Sequence, residues 1–527
     1  MGGPTIGFCG GRIDDADGAN SLILGPNEQQ EELTPCVSEG LQGQCDGNLG
    51  PTTTGLIYVN PAGHLGNPDP EGLIISDIRK TFGKMGMNDT ETLSLAGGGH
   101  AFGKCHGSCS SPPCGEGSDI GIGTNTFTSG FEGAWTTIPT TWSNQYFTNL
   151  FDFQWDLITG PGGQPQWKPS TTDGTPAPDI MMLTSDIALT KDPEFLKISQ
   201  AFADDGSYLD EQFMHAWYKL TTSDMGPVTR CLGDAIPSMQ AFQMPLPAPP
   251  ATLPDFIPVR EQIQSLLDYD NANRGAFIHL AYQCAATFRD TDYQGGCNGA
   301  FIRLAGEADW DVNQGTKQTI TILEPVKISN PAVSFADIIV LAGQAALEDA
   351  GSGAMAFCGG RTDATDGSDR DHLKPIVYDP QVAVIVTVRD SMQVKGLTAR
   401  QGVALVGMPK STVLTNTFFV ELVAAYVNGD QGDYTDDDFA LVQDADFNAI
   451  VVEYAANEEA FMNEFVGAWS YMMTADRFDG PTANLCTGVD TPTLESDVVT
   501  SSAVSSTAHF AFGTLAAAVL AAVVFAF

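Results

Sequence analysis

The sequence is short of positive charge. Its 527 residues hold 24 Lys and Arg against 65 Asp and Glu, a formal net charge of -41. A surface this acidic repels a phosphate backbone and excludes nucleic acid as a partner. The amino end has no basic start and no apolar run, so no secretory leader is visible. Ile6 stands where a myristoylation site needs Ser or Thr. Strand signals are few and short, the best being the β-branched, proline-free run Val382–Val388. Disorder is excluded as well: 43% of the residues are apolar and 29 are Phe, enough to fill a sizeable core.

What is present is mostly helical patterning. Ile75, Ile78, Phe82 and Met85 share one helical face, and Asp89 is placed to cap a helix over 90–97. Residues 257–269, 273–289, 334–349, 415–427 and 458–474 continue the pattern. Eleven cysteines include Cys36 and Cys45 in one loop and Cys105, Cys109 and Cys114 in another. Paired loop cysteines favour disulfides and an oxidising compartment. Zinc is the rival reading for Cys105, His106, Cys109 and Cys114, but that spacing is irregular. The Asp-rich run 430–438 lacks the spaced ligands of an EF-hand and reads as a solvated acidic turn.

The chain is internally repeated. Phe8-Cys-Gly-Gly-Arg12-x-Asp14-x-x-Asp17-Gly18 recurs as Phe357-Cys-Gly-Gly-Arg361-x-Asp363-x-x-Asp366-Gly367. Asn144, Phe147 and Leu150 are echoed by Asn416, Phe419 and Leu422. Ala216-Trp217 with Asp224 is echoed by Ala468-Trp469 with Asp476. The order is kept, which implies two related modules, 1–245 and 255–480, joined by the Pro-rich linker 246–254. Residues 255–350 precede the repeat element in the second module; the first shows no counterpart of them, so we expect it to be incomplete.

Chemistry points to residues 85–107. There a helix ends in Gly97-Gly98-Gly99-His100 and continues into Phe102-Gly103-Lys104-Cys105-His106. Glycines let a flat ligand approach the backbone, and a histidine so placed suits haem iron, its second nitrogen held by a carboxylate. A plain helix C-cap with a satisfied histidine is the alternative.

Longer motifs bear on that choice. Thr54-Gly-Leu-Ile-Tyr58, Met85-x-Met-Asn-Asp, Gly-Gly-His100-x-Phe-Gly-Lys-x-His106-Gly, Thr128-Ser129-Gly-Phe-Glu-Gly-Ala-Trp135, Met182-Leu-Thr-Ser-Asp186 and Ala216-Trp217-Tyr-Lys-Leu occur in order. The sequence resembles the catalase-peroxidases across about residues 1–480. That resemblance implies a mainly α fold of two tandem haem-peroxidase-like helical modules, the second degenerate and haem-free. It implies one haem b (iron protoporphyrin IX) in the first module, with hydrogen peroxide and an electron donor as partners and a possible homodimer. His100 matches the axial iron ligand, Asp186 its carboxylate partner and Trp135 the tryptophan beside them. Tyr58 and Met85 match two members of the family's Met–Tyr–Trp crosslink, and Ser129 a serine of the access channel. Gly99, Phe102, Gly103, Lys104 and His106 complete the expected cofactor-binding stretch. No Cys-x-x-Cys-His occurs, which excludes c-type attachment.

Some features depart from the resemblance. The family's distal Arg, Trp and His fall upstream of Met1, so this chain as written is expected to bind haem weakly and to react slowly with peroxide. In the second module His279, Tyr282 and Gln283 stand at the distal positions, and Pro409 at the position of the axial histidine. Ser223 replaces a mobile arginine. Residues 481–509 read as a Ser/Thr-rich stalk and 510–527 as an apolar anchor, either a lipid-attachment signal or a membrane helix. From the tail we expect an extracellular or cell-surface protein. A catalytically silent, membrane-anchored scaffold is the second functional reading.

Overall fold

The computed structural model describes residues 2–14, 59–367, 370, 373–375, 384–409 and 413–487. Tyr58, Cys36, Cys45, the stalk and the apolar tail lie outside the described residues. The first half contributes helices α1 (Ile74–Lys84), α2 (Asp89–His100), α3 (Gln145–Asp152), α4 (Thr184–Ala188), α5 (Pro193–Asp204) and α6 (Gly206–Thr222). The second contributes α7 (Ile257–Tyr269), α8 (Ala272–Ala285), α9 (Thr316–Ser329), α10 (Phe335–Asp349), α11 (Val384–Val394), α12 (Ala399–Val406), α13 (Thr417–Asn428), α14 (Asp436–Gln443), α15 (Ala445–Ala456) and α16 (Glu458–Thr474). The fold is mainly α. The two halves belong to one unit, Met1–Thr491.

Sheet is confined to three antiparallel pairs among the described residues: β1 (Lys104–Cys105) with β2 (Gly133–Ala134), β3 (Gln154–Thr159) with β4 (Pro165–Ser170), and β5 (Phe478–Asp479) with β6 (Ala483–Asn484). Of the strand expected at Val382–Val388, Val384–Val388 is instead the start of α11, and 382 and 383 lie outside the described residues. Packing against α12 and α14 overrides a β-branched preference. The Asp-rich run is loop over 430–435 and helix from Asp436. Thr435 caps α14, with Asp436, Asp437 and Asp438 in its first turn, where carboxylates oppose the positive helix end.

The repeat is visible atom by atom. Asn144 Nδ2 donates to the carbonyls of Phe202 and Ala203; Asn416 Nδ2 donates to those of Tyr454 and Ala455. Arg79 joins α1 to the α5 cap Asp192, as Arg389 joins α11 to the α15 cap Asp444. Cys9–Cys231 and Cys358–Cys486 tie each Phe-Cys-Gly-Gly-Arg element to chain beyond the last helix of its half. Further disulfides are Cys109–Cys114 and Cys284–Cys297, while Cys105 is a free thiol. The Cys109–Cys114 bond removes two of the four ligands on which the zinc reading depended.

The halves differ in what covers them. In the second, α8 packs on α16, Gly343 of α10 lies against the Trp469 ring, and Trp469 is 1% exposed. Trp217, at the same place on α6, is 40% exposed. Truncating a buried tryptophan removes transfer energy and opens a cavity. Trp469→Ala should therefore cost about 3–5 kcal/mol of stability and Trp217→Ala about 1 kcal/mol or less. Denaturant unfolding of the two variants measures the difference, and equal losses would contradict it.

Candidate haem-binding site

Helix α2 is fixed at both ends. Its cap Asn88 accepts from the Glu91 amide at 2.9 Å, and Glu91 Oε2 accepts from the Asn88 amide at 2.9 Å. Lys219 on α6 donates to the same carboxylate at 2.9 Å. At the far end the three glycines have separate tasks. A Cβ on Gly97 would meet the Phe147 ring of α3 at 2.1 Å, and one on Gly98 the Phe213 ring of α6 at 2.2 Å. Both are small because helices close on them. Gly99 has open space where its Cβ would be. His100 follows directly as the last residue of α2.

One carboxylate organises what surrounds His100. Asp186, on the short helix α4, is 2% exposed. Its Oδ1 lies 3.0 Å from His100 Nδ1 and accepts from the Tyr146 hydroxyl at 2.8 Å. Its Oδ2 accepts from Trp135 Nε1 at 2.8 Å and from the Leu183 amide at 2.7 Å. Four partners fill the lone-pair sites of a carboxylate. Burial alone would raise its pKa. His100, the Leu183 amide and the Tyr146 hydroxyl outweigh burial and hold it below the ordinary value. Burial and the neighbouring Asp186 push the Tyr146 phenol well up, so Tyr146 stays a donor.

Trp135 is carried in by β2, whose Ala134 pairs with Lys104 of β1. Its ring stacks on His100 at 4.0 Å between centroids and 8° between planes. With Nδ1 engaged and one face covered, the imidazole keeps Nε2 without a protein partner among the described residues, and its side chain is 29% exposed. A nitrogen so left would suit haem iron, and among the described residues nothing lies within 4 Å of where a Gly99 Cβ would be. The residues present fit haem. No cluster of three or more His, Cys, Asp or Glu suited to a metal ion occurs among the described residues, but a haem iron would need only one ligand from the protein.

The other expected residues have differing partners. Met85 ends α1 and packs partly buried against the core of the first half. Phe102 is half-buried near Trp142, at 5.9 Å between ring centroids. Gly103 has a left-handed φ of 73° and open space, and Lys104 is exposed. His106 Nδ1 pairs with Glu132 at 2.9 Å, and Ser129 Oγ donates to the His106 carbonyl at 2.8 Å. Ser223 Oγ donates to the Lys219 carbonyl at the end of α6. Tyr146 was missed by sequence reasoning. It lies in the echo spanning Asn144 and Phe147, and nothing in a lone Tyr marks it as a partner of Asp186.

In the second half the same register can be counted. Gly407 meets the Phe419 ring as Gly97 meets Phe147. Three residues on, His100 therefore corresponds to Lys410, and Pro409 to Gly99, one residue from the expected assignment. Lys410 lies outside the described residues. Asp438 is the counterpart of Asp186, since each accepts from the amide three residues before it.

Comparison with known proteins agrees with this geometry. A peroxidase family model matches residues 1–205 and 259–409. A catalase-peroxidase of Rhodopirellula baltica is 35% identical over 91% of this chain and 66% of its own length. Those of Phenylobacterium zucineum (34% identical; 92% of this chain, 77% of theirs) and Escherichia coli (33%; 91% and 76%) are similar. The chain thus spans about two thirds to three quarters of the length of these relatives. The chain belongs to the haem peroxidases, in their catalase-peroxidase branch, a family of oxidoreductases acting on hydrogen peroxide.

The expectation of an extracellular or cell-surface protein held by a C-terminal anchor is corrected. It rested on residues 510–527, which lie outside the described residues. No helix among the described residues is long and apolar enough to cross a membrane, and the relatives matched are catalase-peroxidases.

A carboxylate whose pKa is lowered in the fold adds stability that is complete above its unfolded pKa and lost as pH falls through the folded one. Asp186→Asn should therefore lag the parent by a constant margin above about pH 5, and the margin should shrink below about pH 4. Denaturant midpoints measured across pH report it; a margin that widens on acidification would contradict the geometry.

Proposed function

We propose that this chain acts as a haem-dependent peroxidase and catalase that removes hydrogen peroxide, serving the response to oxidative stress. The observation that carries the proposal is the His100–Asp186–Trp135 assembly, with Nε2 of His100 without a partner among the described residues. His100 would hold the iron of haem b. Bound there, the haem supplies the redox-active iron that exchanges electrons with peroxide.

The protein's part is positional and electrostatic. Asp186 accepts the Nδ1 proton of His100, which fixes the tautomer and keeps the Nε2 lone pair available. Its negative charge makes the imidazole a stronger donor. Trp135 anchors the other carboxylate oxygen and covers one ring face, and Tyr146 keeps Asp186 from turning. We assign Gly99, Phe102, Gly103, Lys104, His106 and Ser129 to the wall around the haem, and Met85 with Tyr58 to a crosslink that supports catalase turnover. Overall, hydrogen peroxide takes up two electrons and two protons to give two waters. The electrons come from an organic donor, or from a second peroxide that leaves as dioxygen. A homodimer is the assembly we propose.

The test is spectroscopic. Titrating haem into the purified chain should give a Soret band that His100→Ala abolishes while far-UV circular dichroism is unchanged. Asp186→Asn should retain the band but raise the iron midpoint potential, because a less anionic imidazole favours the reduced metal. An unaltered spectrum in His100→Ala would overturn the assignment.

A further inference from the structure

The second half carries an open pocket of about 700 Å³, within the range of small-molecule sites. It is bounded by α8, α11, α12 and the first turn of α14. Much of the wall is apolar, with Ile278, Val388, Met392, Leu397 and Leu405 contributing. The polar groups are few: His279, Tyr282, Ser391 and Lys395 in the wall, Asp437 and Asp438 toward α14.

Lys395 has an instructive origin. It ends α11 as Met85 ends α1. In both halves the amide of this residue bonds to the carbonyl three back, and a left-handed glycine follows, Gly86 at φ 75° and Gly396 at φ 71°. The second half has therefore exchanged a thioether for an amine at a wall position. Lys395 Nζ donates to the Ser391 carbonyl at 2.9 Å and to Ser391 Oγ at 2.8 Å. An ammonium has three N–H donors, so one remains. Among the described residues no carboxylate pairs with Lys395. Burial pulls its pKa down to about 8, which is the cost of an amine held among protein atoms without a counter-charge. The Tyr282 hydroxyl likewise has no hydrogen-bond partner among the described residues, and burial raises its pKa, so it remains a donor. Burial lowers the His279 pKa, partly offset by the Gln314 backbone.

We propose that this cavity is a binding site for an amphipathic monocarboxylate, its apolar body against Ile278, Met392 and Leu405 and its carboxylate on the free N–H of Lys395. A single anionic group is specified by the rim. Asp437 is exposed at the cavity edge and Asp438 is committed to the Thr435 cap, so a second carboxylate at that end meets like charge. The site is independent of haem.

Dodecanoate is a suitable probe, with dodecanol as its uncharged counterpart, titrated into the full chain by calorimetry without added haem. One dodecanoate should bind per chain. Lys395→Met should weaken dodecanoate by about 10-fold or more while leaving dodecanol within about 3-fold, as expected for loss of a charge-assisted hydrogen bond. Thr387→Trp, at a half-buried wall position, should block both probes without loss of helical circular dichroism. No saturable binding of dodecanoate, or equal affinity in the parent and Lys395→Met, would overturn the proposal.

Discussion

A single buried carboxylate sets the arrangement of the first half. Asp186 joins four parts of the chain: the end of α2 through His100, β2 through Trp135, α3 through Tyr146 and its own helix through Leu183. A bare carboxylate at this depth costs several kcal/mol, which these partners must offset. Each partner is thereby fixed in orientation, and His100 is fixed most of all, between a hydrogen bond at one edge and an indole on one face. The chemistry proposed for the site needs little else from the proximal side than this rigidity.

Much of the fold was legible because helical periodicity and the repeat both survive in the sequence. The helices over 257–269 and 458–474 were found to the residue. Around α2 the cap was misplaced by one, since Asn88 rather than Asp89 accepts the first amide. Both residues are good caps, and only the backbone geometry distinguishes them. Val384–Val388, the described part of the run read as a strand, was misread because intrinsic β preference says little about a segment packed beside other helices. The β3–β4 hairpin gave little warning, with prolines at 165 and 169 inside the strand.

Within the site, His100, Asp186 and Trp135 were legible through motifs, and the structure brings them into contact. Tyr146 was not, because its role depends on which helix face meets Asp186 and not on its neighbours in sequence. The triple glycine was read as room for a ligand. Only Gly99 is consistent with that; Gly97 and Gly98 serve helix packing. The offset between Pro409 and Lys410 shows the same limit, since a one-residue register is set by the contact between Gly407 and Phe419.

The Phe-Cys-Gly-Gly-Arg element occurs in two dielectric settings. Arg361 and Asp337 are both essentially removed from solvent, at 0% and 1% side-chain exposure, whereas Arg12 and Asp224 stand at 38% and 53%. Mobile counterions reach the second pair and not the first. Rising ionic strength will loosen Arg12–Asp224 while leaving Arg361–Asp337 intact, so the same five-residue element is a salt-responsive joint in the first half and, through a different carboxylate partner, a salt-indifferent one in the second.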